Sequence, residues 1–468
     1  MNCRAIPFFP FGCVSLILAF CLLVIACLPT PGMAYMSVEE EKELGDKLAQ
    51  QLQQNLEVID DPLTRGYVDK IGRRLLEEAR DHRFPYHFYV IKEREPNAFA
   101  IPGGHIFVSS GLIRLVDEED ELAGVIGHEI GHSVLRHIAK AMERAKRISL
   151  ATLAAIIAGA FLSQDAKGTG ALATSAMAMA QSLMLKYTRE NEVEADQKGT
   201  TYMMGAGYDP RAMVIFLKKI YRWQRYVSPN IPTYLSTHPG VDFRITYLSD
   251  IFLSAPKPPS PHPAAAGDLK KIQIRLFIKE RGAVAGIDRF SSLLRERPGD
   301  VNTLYGLGVS YVMAGRAKEA IPILVAALKA SPKNGYIMRE LGIAYFQAKE
   351  VGRALQTLQS TLNSFPHDTT ILYYLAQGHQ EEGRWDQSLS LYRRVLELDP
   401  QKVEIYHNLG VIYSMKGLLG PAHKNFGLYF KEKGERETAL FHFRKAWRYY
   451  QDEDEKRQLE DLIRECER

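Results

Sequence analysis

The sequence predicts a mostly helical α+β domain with a small β-sheet, followed by an all-α solenoid. Three observations carry that prediction. At 468 residues the chain is about three times a typical domain, so one core is too few. Short alternating segments between residues 86 and 109 interrupt otherwise helical periodicity. Beyond residue 300 the chain repeats itself at a constant period. With 46% hydrophobic and 24% charged residues, the composition excludes a disordered chain and a polytopic membrane protein. A formal charge of +4, without a dense basic run, gives a nucleic-acid partner no support.

The chain opens with a secretory layout. Arg4 is the first charge and Glu39 the next, and the apolar run from Phe8 to Leu28 lies between them. Pro29 and Pro31 end that run, and Gly32-Met33-Ala34 places small residues where a signal peptidase reads, so residues 1–34 are expected to be removed. Val24-Ile25-Ala26-Cys27 offers an alternative, lipid attachment at Cys27. Both readings place the body of the protein outside the cytoplasm, with a periplasmic location after cleavage. Cys3, Cys13, Cys21 and Cys27 fall inside this segment, leaving Cys466 alone in the mature chain, so its fold must rest on burial and metal.

Residues 35–253 form the expected mixed domain. Helical periodicity runs from 37 to 80, and Tyr86 to Ile91 reads as a strand. Asn97-Ala98-Phe99-Ala100-Ile101 and His105 to Ser109 flank Pro102-Gly103-Gly104, which predicts two strands and a turn. Asp117 resembles the N-cap of a long helix reaching about Glu143. Two uncharged runs, 148–162 and 171–185, each fall short of a membrane span and predict a helical hairpin, with peripheral membrane contact through 148–185 as its functional reading.

Residues 254–267, holding Pro256, Pro258, Pro259, Pro261 and Pro263, read as a linker separating two cores, with residues 268–468 as the second domain. There Leu307-Gly308, Leu341-Gly342, Leu375-Ala376 and Leu409-Gly410 recur every 34 residues, as do Pro298, Pro332, Pro366 and Pro400. Ala320, Ala354, Ser388 and Ala422 keep the same interval. That is the tetratricopeptide period, with units near 301–334, 335–368, 369–402 and 403–436 and capping helices on both flanks. A concave face of such a solenoid is where a peptide or protein would bind.

His128-Glu129-Ile130-Gly131-His132 carries the sharpest chemical signal. On a helix the two imidazoles lie one turn apart on one face and can share a metal, with Glu129 between them as general base. A catalytic zinc takes three protein ligands and keeps one position open. Within Arg189-Glu190-Asn191-Glu192-Val193-Glu194-Ala195-Asp196, Glu192 shares its face with small or apolar neighbours, whereas Glu190 and Glu194 share a more solvated one. Glu192 is therefore the expected third ligand, and Asp196, one turn on, is placed to orient a ligand histidine.

These motifs, with Asn97-Ala98-Phe99-Ala100-x-Pro102-Gly103-Gly104 upstream and His238-Pro239 with Arg244 downstream, resemble the M48 gluzincin metallopeptidases over roughly residues 37–253. The attached tetratricopeptide array makes the chain similar to a periplasmic branch of that family concerned with outer-membrane assembly. The resemblance implies one zinc held by His128, His132 and Glu192, with Glu129 as general base. It also implies unfolded or stalled envelope proteins as clients and contact with the outer-membrane assembly machinery through the repeats. One departure is that the family's members carry a C-terminal cysteine pair where this chain has Cys466 alone, which puts a disulfide tether of the last helices in question.

The expected activity is a zinc endopeptidase in which Glu129 takes a proton from the attacking water and returns it to the leaving amine. The segment Asn97 to Ile101 is the expected docking edge for a substrate strand, a mode that reads backbone more than side chains. A chaperone or scaffold acting through the solenoid is the rival reading, and an aminopeptidase lacks an evident acidic site for a free amine. His238 and Arg244, which the resemblance places near the active site, are candidates for a gate or for a transition-state contact.

Overall fold

The computed structural model describes residues 36–144, 187–226, 233–253 and 268–467. The expected signal 1–34 with Cys27, the hairpin 148–185 and the linker 254–267 lie outside those residues. Among the described residues no helix is long and apolar enough to cross a membrane.

Helix α1 (Val38–Asn55) starts at a capping box in which Ser37 and Glu40 satisfy each other's backbone N–H groups. The helical stretch expected over 37–80 is two helices, because Asp61 caps a second start and Pro62 occupies its first turn, opening α2 (Pro62–Ala79). Strands β1 (His87–Ile91), β2 (Ala98–Ile101) and β3 (His105–Ser109) make one sheet of order β1-β3-β2. β1 pairs parallel to β3, and β2 pairs antiparallel to it across Pro102–Gly104, where Gly103 has φ 80°. That positive φ is what the glycine supplies to the turn.

Helix α3 (Ser110–Leu115) leads to α4 (Glu119–Val134), and here the structure corrects two expectations. The N-cap is Glu118, in a box with Glu121, rather than Asp117. The helix also ends at Val134 instead of running to Glu143. Arg136 adopts the left-handed conformation (φ 55°) and sends its guanidinium to Glu41 Oε2 at 2.5 Å and to the Met36 carbonyl at 2.6 Å. Those two contacts hold a bend that carries an energetic cost for a residue with a Cβ, and α5 (His137–Arg144) leaves in a new direction.

Helix α6 (Arg189–Gly205), capped by Thr188, crosses α4 on small residues. A Cβ on Gly199 would sit 2.8 Å from the His128 amide nitrogen, and one on Gly131 would sit 2.8 Å from the Ala195 carbonyl oxygen. Only glycine at these positions lets the two backbones approach this closely. Helices α7 (Arg211–Tyr226), α8 (Thr233–Thr237) and α9 (Val241–Leu253) close the domain around the same core.

The second half is a run of antiparallel helix pairs. They are α10 (Asp268–Arg281) with α11 (Ala283–Glu296), α12 (Val301–Met313) with α13 (Ala317–Ala330), and α14 (Gly335–Gln347) with α15 (Val351–Thr361). Next come α16 (Thr369–Glu381) with α17 (Trp385–Leu398), α18 (Glu404–Met415) with α19 (Leu419–Glu432), and α20 (Arg436–Tyr449) with α21 (Glu453–Glu467). The repeating small column works as expected. Cβ atoms on Gly308, Gly342 and Gly410 would strike Leu324, Leu358 and Phe426 of the paired helix at 2.4, 2.6 and 2.7 Å. Asp300, Asn334 and Asp368 cap successive first helices.

The expectation of two separate cores is corrected. One apolar cluster runs from Leu63 and Tyr67 of α2 through Leu276 of α10 to Tyr305 and Tyr336 of the repeats. Gln273 of α10 donates to the carbonyls of Ile113 and Val116, satisfying the end of α3. Beside it a buried ionic chain crosses from the first domain into the repeats. Arg275 bonds Asp61 at 2.5 Å and Glu340 at 2.6 Å, and Arg339 bonds both Glu340 and Asp368. Proline-rich composition between two domains reports on the connection and says nothing of whether their surfaces meet.

Candidate metal centre

The close crossing of α4 and α6 decides the site. His128 and His132, one turn apart on α4, face Glu192 on α6, and the residue after α8 brings in His238. One ligand atom from each of these four lies within 4.8 Å of the others. His132 Nε2 is 3.0 Å from His128 Nε2 and 3.3 Å from Glu192 Oε1, and His238 Nδ1 is 3.1 Å from the same carboxylate oxygen. All four are at most 1% exposed. Three imidazoles and a carboxylate converging on one point are the donor set of a nitrogen- and oxygen-ligated transition metal, and the residues fit such an ion.

Arg244 and Asp196 hold this set in place. Asp196 Oδ1 accepts from His128 Nδ1 at 2.8 Å, which makes Nε2 the nitrogen that faces the centre. Arg244 donates to both oxygens of Asp196, at 2.6 and 2.8 Å, and to Glu192 Oε2 at 2.6 Å, while the Tyr247 hydroxyl donates to Asp196 Oδ2 at 2.6 Å. Its guanidinium is thus committed to carboxylates, the geometry of a positioning residue rather than of a group facing substrate.

Burial opposes ionisation of Glu192, but His238, Arg244 and His128 outweigh it and hold the carboxyl well below its ordinary range. For His132, burial and then His128 push the imidazole well below its ordinary value. Burial and Arg244 also act against a charge on His128, yet Glu192 and Asp196 prevail and lift it to about 9, a measure of the site's demand for positive charge. Burial raises Glu129. Its Oε2 accepts from the Ala100 amide at 3.0 Å. Its Oε1 is 3.4 Å from His238 Nε2 but misaligned, and both atoms are buried without a hydrogen-bond partner. Buried orphans of this kind are costly and mark a place where a further polar group belongs.

Strand β2 lies at the sheet edge with Ala98, Phe99 and Ala100 buried, and its tie to the site is the Ala100 amide on Glu129. Asn97 donates its amide to Ser109 Oγ at 2.8 Å and keeps a buried, unpaired Oδ1. Several site residues escape a reading of the sequence. Tyr187 stacks on His132 with centroids 3.6 Å apart, Tyr234 stacks on His238 at 4.5 Å, and His137 and Glu194 join the outer face of His132. Aromatic character alone carries no signal of contact with a ligand, since most buried tyrosines serve packing.

With this geometry in view, residues 62–251 match the model of Peptidase family M48. The matched stretch makes up most of the first unit. Behind that stretch, residues 285–334, 311–377 and 380–417 match three tetratricopeptide-repeat models. The chain is 34% identical over 318 residues to the Beta-barrel assembly-enhancing protease of Yersinia pestis, a match covering 65% of this chain and 63% of that one. Against the protein of the same name from Escherichia coli K12, identity is 36% over 45% of this chain and 43% of that one. The Mitochondrial metalloendopeptidase OMA1 of Schizosaccharomyces pombe is 29% identical over 40% of this chain and 52% of its own length. The chain therefore spans less than two thirds of the length of each of these relatives.

Proposed function

We propose that this chain is a zinc-dependent endopeptidase of the bacterial cell envelope. It degrades misfolded or stalled proteins, outer-membrane proteins among them, and assists their assembly through its repeats. The observation that carries this reading is the convergence of His128, His132, Glu192 and His238 beside a Glu129 whose Oε1 has no partner. The M48 match and the relatives' names, protease and metalloendopeptidase, support it.

In this reading His128, His132 and Glu192 hold one zinc, which when bound acidifies the attacking water and polarises the scissile carbonyl. Burial raises Glu129, the direction that favours a group able to take a proton and give it back, and the Ala100 amide aims it by fixing one oxygen. Glu129 removes the water proton at its free Oε1 and returns it to the leaving amine. Strand β2 receives the substrate as an added strand, and the orphan Asn97 Oδ1 is an acceptor ready for a backbone N–H.

His238 serves as the gate. An imidazole this close to His128 and Glu192 takes the position a substrate or water would use, which restrains a protease living among unfolded proteins. Processing after Ala34, or lipid attachment at Cys27, delivers the protein to the periplasm.

The deciding experiment compares Glu129→Gln with wild type in a deletion strain, scoring client degradation and client assembly separately. Degradation lost with assembly retained is the expected result. No effect on either would sink the protease reading and favour a scaffold.

A further inference from the structure

The two helix-borne histidines of the site are held in different ways. His128 leans on a buried carboxylate, Asp196, which Arg244 neutralises. His132 has no carboxylate at its Nδ1. That atom lies 2.9 Å from Nδ1 of His137, and His137 Nε2 lies 3.0 Å from Glu194 Oε2. His137 is 2% exposed, whereas the Glu194 side chain is 56% exposed, so the series runs from the buried centre to the surface.

We propose that His137 and Glu194 form a positioning relay that selects the tautomer of His132 and holds its Nε2 toward the metal. The proposal rests on the metal-site reading above. Its logic is proton bookkeeping along three groups. A His132 that offers the Nε2 lone pair must carry its hydrogen on Nδ1. His137 Nδ1 must then accept, so His137 carries its own hydrogen on Nε2. That hydrogen needs an acceptor, and Glu194 is the group in reach. With Glu194 removed, His137 is free to carry its hydrogen on Nδ1, where it would face the Nδ1 hydrogen of His132 across 2.9 Å. An exposed carboxylate thereby governs a buried ligand through one neutral ring.

The fold is built for this contact. His137 follows Arg136, whose left-handed conformation ends α4 and turns the chain back beside His132. Continuing the helix through Arg136 would carry position 137 away from position 132, since residues five apart lie well over a quarter turn from alignment. Glu194 sits two residues after Glu192 on α6, so one helix supplies a contact to each ring nitrogen of His132: directly at Nε2, and through His137 at Nδ1. Tyr187, stacked on the ring face, leaves those two edges as the ones in use.

The test measures zinc affinity by chelator competition, together with the absorption spectrum of the cobalt(II)-loaded protein, in full-length wild type and in His137→Ala, His137→Gln, Glu194→Ala, Glu194→Gln and the His137→Ala/Glu194→Ala pair. His137→Ala should weaken zinc about 10- to 100-fold, the usual effect of losing a partner behind a ligand. Glu194→Ala should weaken it less and add nothing once His137 is gone. His137→Gln and Glu194→Gln, which can accept at the same points, should recover much of the affinity and the wild-type cobalt spectrum. A purely structural role predicts no such recovery. Should His137→Ala fail to fold, the exposed Glu194 variants carry the test alone. Zinc affinity unchanged in both alanine variants, with His132→Ala losing the metal, would overturn the relay. Equal zinc in wild type and His132→Ala would instead overturn the metal site, and the relay with it.

Discussion

Within the site each side chain has one role that a substitution can isolate. His132→Ala removes a nitrogen of the proposed zinc site and should lower bound zinc and abolish cleavage, while Glu129→Gln should abolish cleavage with zinc retained; metal analysis of the purified proteins separates the two. His238→Ala should raise cleavage of non-client proteins or of the enzyme itself if the imidazole restrains the site. A fall on all substrates would mark it instead as a transition-state contact, and unchanged rates would refute both roles. Away from the centre, His105 supplies a pH test. Burial, reinforced by the neighbouring His87, holds it down to about 4 despite its bond to Asp46, so it is neutral in the fold. The unfolded chain takes up a proton near the ordinary value and the folded one does not. Stability from this group is therefore complete above about pH 6.5 and is lost as pH falls toward 4, by up to about 3 kcal/mol. His105→Gln should flatten that slope in urea titrations at pH 7 and pH 4.5.

At the level of elements, the crossing of α4 and α6 is the joint on which the ligands depend. Gly199→Ala would put a methyl group 2.8 Å from the His128 amide nitrogen and 2.9 Å from the Gly127 carbonyl carbon, both backbone atoms that cannot swing aside. The helices must separate, at a cost of about 1–3 kcal/mol. Because His128 and Glu192 ride on the two helices, zinc affinity should fall together with stability. Gly66→Ala on α2, with nothing within 4 Å of the added methyl, is the control and should be neutral or slightly stabilising. An equal thermal shift for both glycines would show that the crossing tolerates more space than its geometry implies. The spacing of His128 and His132, and the small-residue face of Glu192, were legible in the sequence because helical periodicity alone sets them. The break at Arg136 was not. It depends on Glu41 and Met36, about a hundred residues away, holding a guanidinium that local propensity would have kept in a continuing helix.

For the molecule as a whole, the buried ionic chain joins the first domain and the repeats. Arg275→Ala would leave Asp61 and Glu340, both 2% exposed, without their shared cation. Losing one member of such a set costs about 3–5 kcal/mol. Asp61→Asn in the same protein should recover part of that loss, read from urea denaturation as a non-additive double-mutant cycle. A cost below about 1 kcal/mol would show that water reaches these charges. The same interface bears on truncation. Ending the chain at Leu253 would strip α10 from α2 and α3 and uncover Tyr67 and the carbonyls of Ile113 and Val116, so the shortened protein should be less stable than one retaining α10.

What the sequence by itself determined is what repeats or is local: the 34-residue period, the strand pair about Pro102-Gly103-Gly104, and the histidine pair on one helix face. Each follows from backbone periodicity, which a few neighbouring residues express in full. Only the tertiary structure decided the rest. Glu194 reads as a solvated helix charge and becomes a partner of His137; Arg275 reads as one more basic residue and becomes the cation of a buried chain whose members lie 214 and 65 positions away. Such roles depend on which surfaces meet, and a charge acquires its meaning from partners that folding alone brings within reach.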